Sequence, residues 1–140
     1  MLECAITAVP DPIRGQVVKA TIELAKLIVS YGADALHVDA GCHENWPNAM
    51  PPAGMQMMTL QSRSAKIIKA AVNVPVLTHG RFGDVQKAEA ALRDSVCDIA
   101  VIGRGLLADP DLPNKVLSGR PDDIRPCISC NEGCIGRVYN

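Results

Sequence analysis

Three short aliphatic runs, Ala35-Leu36-His37-Val38-Asp39, Val74-Pro75-Val76-Leu77-Thr78 and Asp98-Ile99-Ala100-Val101-Ile102, recur between helical stretches of this chain. They lack the apolar–polar alternation of a strand with one wet face, and so predict parallel strands covered by helices. Val17, Thr21, Leu24, Ile28 and Tyr31 fall at helical spacing, and Gly32 follows as a stop. Leu60, Ser64, Ile67, Ile68 and Ala71 mark a second helix reaching Val72. Asp84 is the expected cap of a third, which extends to about Arg93. A fourth is expected from Asp109 as N-cap, with Pro110 in the first turn and Gly119 as the stop. Strand alternating with helix is the α/β pattern.

The number of such units sets the architecture. A (β/α)8 barrel takes eight units and about 250 residues. This 140-residue sequence offers three, preceded by a helix whose own strand is reduced to Glu3–Thr7. The expectation is therefore the C-terminal half of a TIM barrel over residues 1–119. An irregular cysteine-rich tail follows over 120–140, with too few apolar residues to build a helix. Aromatics at 3% lean the same way, because branched aliphatic side chains fill barrel interiors.

Charge and hydropathy narrow the partners. Fourteen basic and fifteen acidic residues leave a net charge of −1, which points away from nucleic acid and acidic membranes. No apolar stretch approaches the roughly 18 residues of a spanning helix, and Met1-Leu2-Glu3-Cys4 is no basic leader. A cytoplasmic location is the expectation. Without a leader, the six cysteines do not suggest a disulfide framework. Cys4, Cys42 and Cys97 sit in apolar surroundings and read as small core residues. Cys127, Cys130 and Cys134 crowd together as C-x2-C-x3-C, a soft donor set suited to zinc or an iron–sulfur cluster. A structural zinc site usually adds a second Cys or His pair, and no histidine follows His79, so iron–sulfur is favoured. Arg125 and Arg137 would offset the cluster's charge. The fourth ligand is expected beyond Asn140, with Cys97 or Cys42 as alternatives.

Two successive strands end alike, in Thr78-His79-Gly80-Arg81 and Ile102-Gly103-Arg104-Gly105. Each supplies a glycine for close backbone approach and an arginine as a bidentate donor. At the carboxyl ends of neighbouring strands, such a pair matches the phosphate site that barrels build after strands 7 and 8. The bland alternative is two ordinary glycine turns with solvated arginines. His43 follows a strand's carboxyl end, where barrels place catalytic groups, and can donate a proton near neutral pH; the alternative is a loop histidine bonded to backbone. His37 reads as a satisfied core histidine and His79 as a secondary site candidate. Trp46 either lines a substrate pocket or anchors its loop.

The runs His37-Val38-Asp39-Ala40-Gly41-Cys42-His43-Glu44, Gly80-Arg81-Phe82, Gly103-Arg104-Gly105-Leu106-Leu107-Ala108-Asp109-Pro110 and Arg125-Pro126-Cys127-Ile128-Ser129-Cys130-Asn131 resemble the iron–sulfur flavoenzymes related to old yellow enzyme. That family includes 2,4-dienoyl-CoA reductase, enoate reductases, NADH:flavin oxidoreductases and trimethylamine dehydrogenase. The resemblance implies an FMN-bearing barrel. It matches Gly80, Arg81, Gly103 and Arg104 to flavin-phosphate contacts and His43 to a histidine that helps protonate the substrate. It matches Cys127, Cys130 and Cys134 to three of four [4Fe-4S] ligands. Electrons from NAD(P)H would arrive through FAD, in a C-terminal part that this sequence does not contain, and the cluster. Reduced FMN would then deliver hydride to an activated C=C bond of a small unsaturated substrate.

The resemblance leaves gaps. The tyrosine partner of that histidine, the earlier flavin contacts, the fourth cysteine and the pyridine-nucleotide domain have no counterpart here. The chain is accordingly expected to need its missing barrel half, to be inactive alone, and to dimerise or aggregate through unpaired strand edges. The competing readings are a non-catalytic zinc-binding α/β module, an amine-dehydrogenase relative, and a gene remnant or partial reading frame.

Overall fold

A computed structural model describes residues 2–7, 16–39 and 60–137. The aliphatic runs form strands in it. β1 (Glu3–Thr7), β2 (Ala35–Asp39), β3 (Val76–His79) and β4 (Ile99–Val101) make a four-stranded parallel sheet in the order β1-β2-β3-β4. Sequential order with no reversal separates this sheet from a doubly wound one, whose strand order switches direction at its ligand site. It is the order found in a segment of a (β/α)8 barrel.

The strands present two unlike faces. Leu36, Val38, Val76 and Thr78 point to one side and are fully buried. There they pack with Ile6 of β1, Ala25 of α1 (Gln16–Ser30), and Ala65 and Ile68 of α2 (Leu60–Lys69). The Thr78 hydroxyl is satisfied by donating to the Val38 carbonyl at 2.9 Å. Glu3, Ala5, His37, Asp39, Leu77, His79, Ile99 and Val101 are exposed or half-buried on the other side.

Helix limits follow local chemistry. Gly32, at φ +100°, ends α1: its N–H donates to Val29 and the Ala33 N–H reaches back to Ile28. α2 stops at Lys69, short of the expected Val72. Its buried face runs through Gln61, Ser64, Ala65 and Ile68 rather than Ile67, which is 42% exposed. Small side chains at Ser64 and Ala65 suit a helix lying close on a sheet. β3 starts at Val76, one residue after Pro75, whose carbonyl accepts from the Leu36 N–H at 3.0 Å. α3 (Val85–Arg93) is capped by Asp84 as expected, the carboxylate accepting from the Lys87 N–H. Its Ala88 and Ala91 pack with Phe82, Val96 and Cys97 in a second apolar cluster. Cys97 is buried there and Cys4 packs against the first cluster, as small core residues do. Cys42 lies outside the described residues. Among them, no helix is long and apolar enough to cross a membrane.

The fourth helix departs from the sequence reading. Asp109 does not open it. A short helix α4 (Arg104–Ala108) intervenes, and α5 (Leu112–Leu117) begins after Asp111, with Pro113 rather than Pro110 in its first turn and Gly119 at φ +70° closing it. Asp109 instead ends α4. Its buried carboxylate accepts from Lys115 Nζ at 2.6 Å, from the Arg125 N–H at 2.8 Å and from the Asp111 N–H at 3.2 Å. These bonds outweigh a surface N-cap because they satisfy a charge inside the fold and fix where the tail leaves the barrel layer.

The Lys115 ammonium, and after it the Arg125 amide, holds the Asp109 carboxyl below the ordinary carboxylate range. Its stabilising contribution is thus present above about pH 3.9 and is lost as pH falls through the lower folded-state value. Asp109→Asn should lower the urea midpoint at pH 7 and lose less stability than the parent between pH 5 and 3; equal acid losses in the two proteins would contradict this.

Candidate functional site

The carboxyl ends of β3 and β4 bring the two Gly-Arg turns side by side. Their contact is made by glycines other than those the sequence pattern singles out. A Cβ on Gly105 would lie 2.8 Å from the Gly83 Cα and 2.9 Å from Ile102 Cγ2, and one on Gly83 would lie 3.1 Å from the Gly105 Cα. Backbone therefore rests on backbone here, and only glycine allows it. At Gly103 a Cβ would meet nothing within 4 Å. Gly80 is half-buried in the bend directly after β3.

Arg81 and Arg104 are both half-buried at this end of the sheet. Arg81 holds a left-handed φ of +62°. Each guanidinium meets the tail: Arg81 Nη2 donates to Ser129 Oγ at 3.3 Å and Arg104 Nη1 to Asn131 Oδ1 at 2.5 Å. Each contact engages one terminal nitrogen of a group with five N–H donors. Two half-buried arginines at neighbouring strand ends, beside open space at Gly103, fit an anionic phosphate, so the residues present suit a flavin's phosphate end.

Cys127 and Cys134 are half-buried and Cys130 is exposed. The Ser129 N–H donates to Cys127 Sγ at 3.4 Å. The segment turns tightly, with the Gly136 N–H bonded to the Asn131 carbonyl at 2.8 Å, while Ser129 and Asn131 take φ of +56° and +62°. Donor type and spacing suit a thiolate-held cluster. The positions do not yet converge: among the described residues, no three His, Cys, Asp or Glu side chains are gathered closely enough to hold a metal. Gly136 is closely packed, a Cβ there coming within 3.3 Å of the Asn131 carbonyl, whereas Gly133 faces open space.

His43, the expected proton donor, lies outside the described residues, as do Cys42 and Trp46. His37 has polar partners but is half-buried rather than a core histidine. On the sheet's less buried face its Nδ1 lies 3.3 Å from Glu3 Oε1, and its Nε2 lies 3.4 Å from Nδ1 of His79. His79 Nε2 lies 3.3 Å from Asp39 Oδ1, and the two rings stand edge to face. A line of four titratable groups thus climbs from the start of β1 to the carboxyl end of β3. Burial lowers the His79 pKa; Asp39 opposes the shift and His37 adds to it. The sequence alone could flag this pair only by noting that His37 and His79 share an orientation on adjacent parallel strands.

Two sets of relatives frame this geometry. The model of the NADH:flavin oxidoreductase / NADH oxidase family matches residues 13–123 and ends before Cys127. Cinnamate reductase of Clostridium sporogenes is 39% identical over 91% of this chain and 19% of its own length. NADH oxidase of Thermoanaerobacter brockii is 40% identical over 84% of this chain and 18% of its own. The structure of 2-naphthoyl-CoA reductase with 2-naphthoyl-CoA superposes with a TM-score of 0.79 at 28% identity, over 96% of this chain and 20% of that one. The chain thus spans about a fifth of the length of these relatives.

Glycine substitutions should separate packing from open space. Gly105→Ala is expected to lower stability by about 1–3 kcal/mol through overpacking, and Gly103→Ala by far less, in urea unfolding. Equal costs would contradict the close contact. For His79, whose folded pKa lies below the ordinary value of about 6.5, stability is fully present above that value and falls as pH drops below it. His79→Gln should flatten the urea midpoint between pH 7 and 5; a slope equal to the parent's would refute the assignment.

Proposed function

Because the chain belongs to the NADH:flavin oxidoreductase / NADH oxidase family, we propose that it is part of a flavin-dependent oxidoreductase that reduces activated C=C bonds with electrons from NAD(P)H. One observation carries this reading: Arg81 and Arg104 stand together at the carboxyl ends of adjacent parallel strands, beside the open space at Gly103. Brought close by the Gly83–Gly105 contact, the two loops form a cationic floor of the kind that binds a phosphate monoester.

In this reading Arg81 and Arg104 pair with the phosphate of FMN, and Gly80 and Gly103 leave room for its approach. When bound, FMN supplies two-electron hydride chemistry that no side chain offers. His43 is the proposed proton donor to the substrate, in its neutral-pH role as a general acid. Residues 1–119 belong to the barrel and 120–140 begin the cluster segment. Cys127, Cys130 and Cys134 are proposed as three ligands of a [4Fe-4S] cluster, with the Ser129 N–H supporting the Cys127 sulfur. Binding would have to draw the exposed Cys130 toward its neighbours, as expected where metal loading and local folding are one process. The remaining barrel strands would pair at the outer edges of β1 and β4, which would make the face bearing Ala5, Leu77 and Ile99 the barrel interior.

A conjugated acid or its thioester is the proposed substrate class. Its support is that relatives of this sequence and fold include a cinnamate reductase and a 2-naphthoyl-CoA reductase. The intact protein should be yellow-brown, with flavin absorption and a broad iron–sulfur shoulder. Arg104→Gln should weaken FMN binding by about tenfold or more, as expected for one hydrogen bond to a charged group. Colourless protein with stoichiometric zinc and no bound flavin would overturn the proposal in favour of a zinc module.

A further inference from the structure

The two arginines of the phosphate floor are held by the cysteine segment. Arg81 meets Ser129 and Arg104 meets Asn131, although the arginines come from different strand ends and the tail residues are only two apart in sequence. Ser129 is 5% exposed, so its bond forms where water competes little. Both tail residues also occupy left-handed backbone, at φ +56° and +62°. Glycine is the residue of least cost there. A side chain kept where glycine would be easier is one whose hydrogen bond matters.

We propose that Ser129 and Asn131 are positioning residues that fix the Arg81 and Arg104 guanidiniums for the flavin phosphate, so that the placement of the cysteine segment sets the affinity for that phosphate. This rests on the function proposed above and extends it. A guanidinium is a planar fork on a long flexible stem, and immobilising it beforehand reduces the entropy lost when the phosphate arrives. One terminal nitrogen anchored on the tail limits the swing of each fork. The serine and asparagine then act on the ligand only through the arginines. Their alignment between the cysteines means that a displaced tail would release both arginines together.

The test compares FMN with riboflavin, which has the same ring and ribityl chain and no phosphate. Apoprotein prepared from the intact protein is titrated with each flavin and the quenching of flavin fluorescence is followed. Ser129→Gly and Asn131→Gly suit the left-handed backbone and remove the side-chain oxygen that accepts from each arginine. Each is expected to weaken FMN by about tenfold and leave riboflavin unchanged. Because Asn131 acts through Arg104, Asn131→Gly should cost little more once Arg104→Gln is present. Retained FMN preference in both glycine variants, equal loss of the two flavins, or additive losses in the double variant would each overturn the inference while the proposed function stands. A parent protein with no preference for FMN would remove both. Should one glycine variant fail to fold, the other tests its own arginine independently.

Discussion

Every strand of this sheet runs parallel to its neighbour, and a parallel pair can be joined only by a crossover of a dozen or more residues. Such crossovers are right-handed in nearly every case, so successive helices land on one face and successive carboxyl ends at one edge. That constraint organises the molecule. It buries Leu36, Val38, Val76 and Thr78 beneath α1 and α2 and leaves His37, Leu77, His79 and Ile99 on the opposite face. It also delivers the loops after β3 and β4 to the same place, whatever residues they carry.

What those loops carry then determines the chemistry. Gly83 and Gly105 allow them to touch through backbone, at a spacing that any Cβ would prevent. The arginines beside them are polar groups in a half-buried position and need partners; the tail supplies Ser129 and Asn131. The tail is fixed in turn by the Arg125 amide on Asp109, a carboxylate that also holds Lys115. The two arginines, the cysteine segment and Asp109 are therefore tied together by hydrogen bonds. The less buried face has its own polar line, in which Glu3 and Asp39 flank the two histidines. These groups are arranged in pairs across strands, as side chains on adjacent parallel strands must be.

Much of this was legible in the sequence where the signal is local. Periodicity located α1 and the start of α2, Gly32 marked the end of α1, the Asp84 cap located α3, and the aliphatic runs located β2, β3 and β4 to within a residue or two. The repeated Gly-Arg pattern identified the arginines that the fold brings to one edge. Asp109 was misread because Asp-Pro at a helix start is a strong local pattern, and its competitor was a set of bonds to Lys115 and Arg125, the latter sixteen residues away. The glycines in contact were likewise missed, since nothing nearby in sequence distinguishes Gly83 from a turn glycine.

The sequence by itself determined the strand–helix alternation, the parallel sheet, the paired arginines and the cysteine spacing, because each depends on side chains within one turn or one strand of one another. Tertiary structure alone decided which groups meet: Gly83 with Gly105, Ser129 with Arg81, Asn131 with Arg104, and His37 with His79. Those pairings depend on strand register and on the path of the tail, which burial and hydrogen bonding fix over the whole fold and which no local spacing encodes.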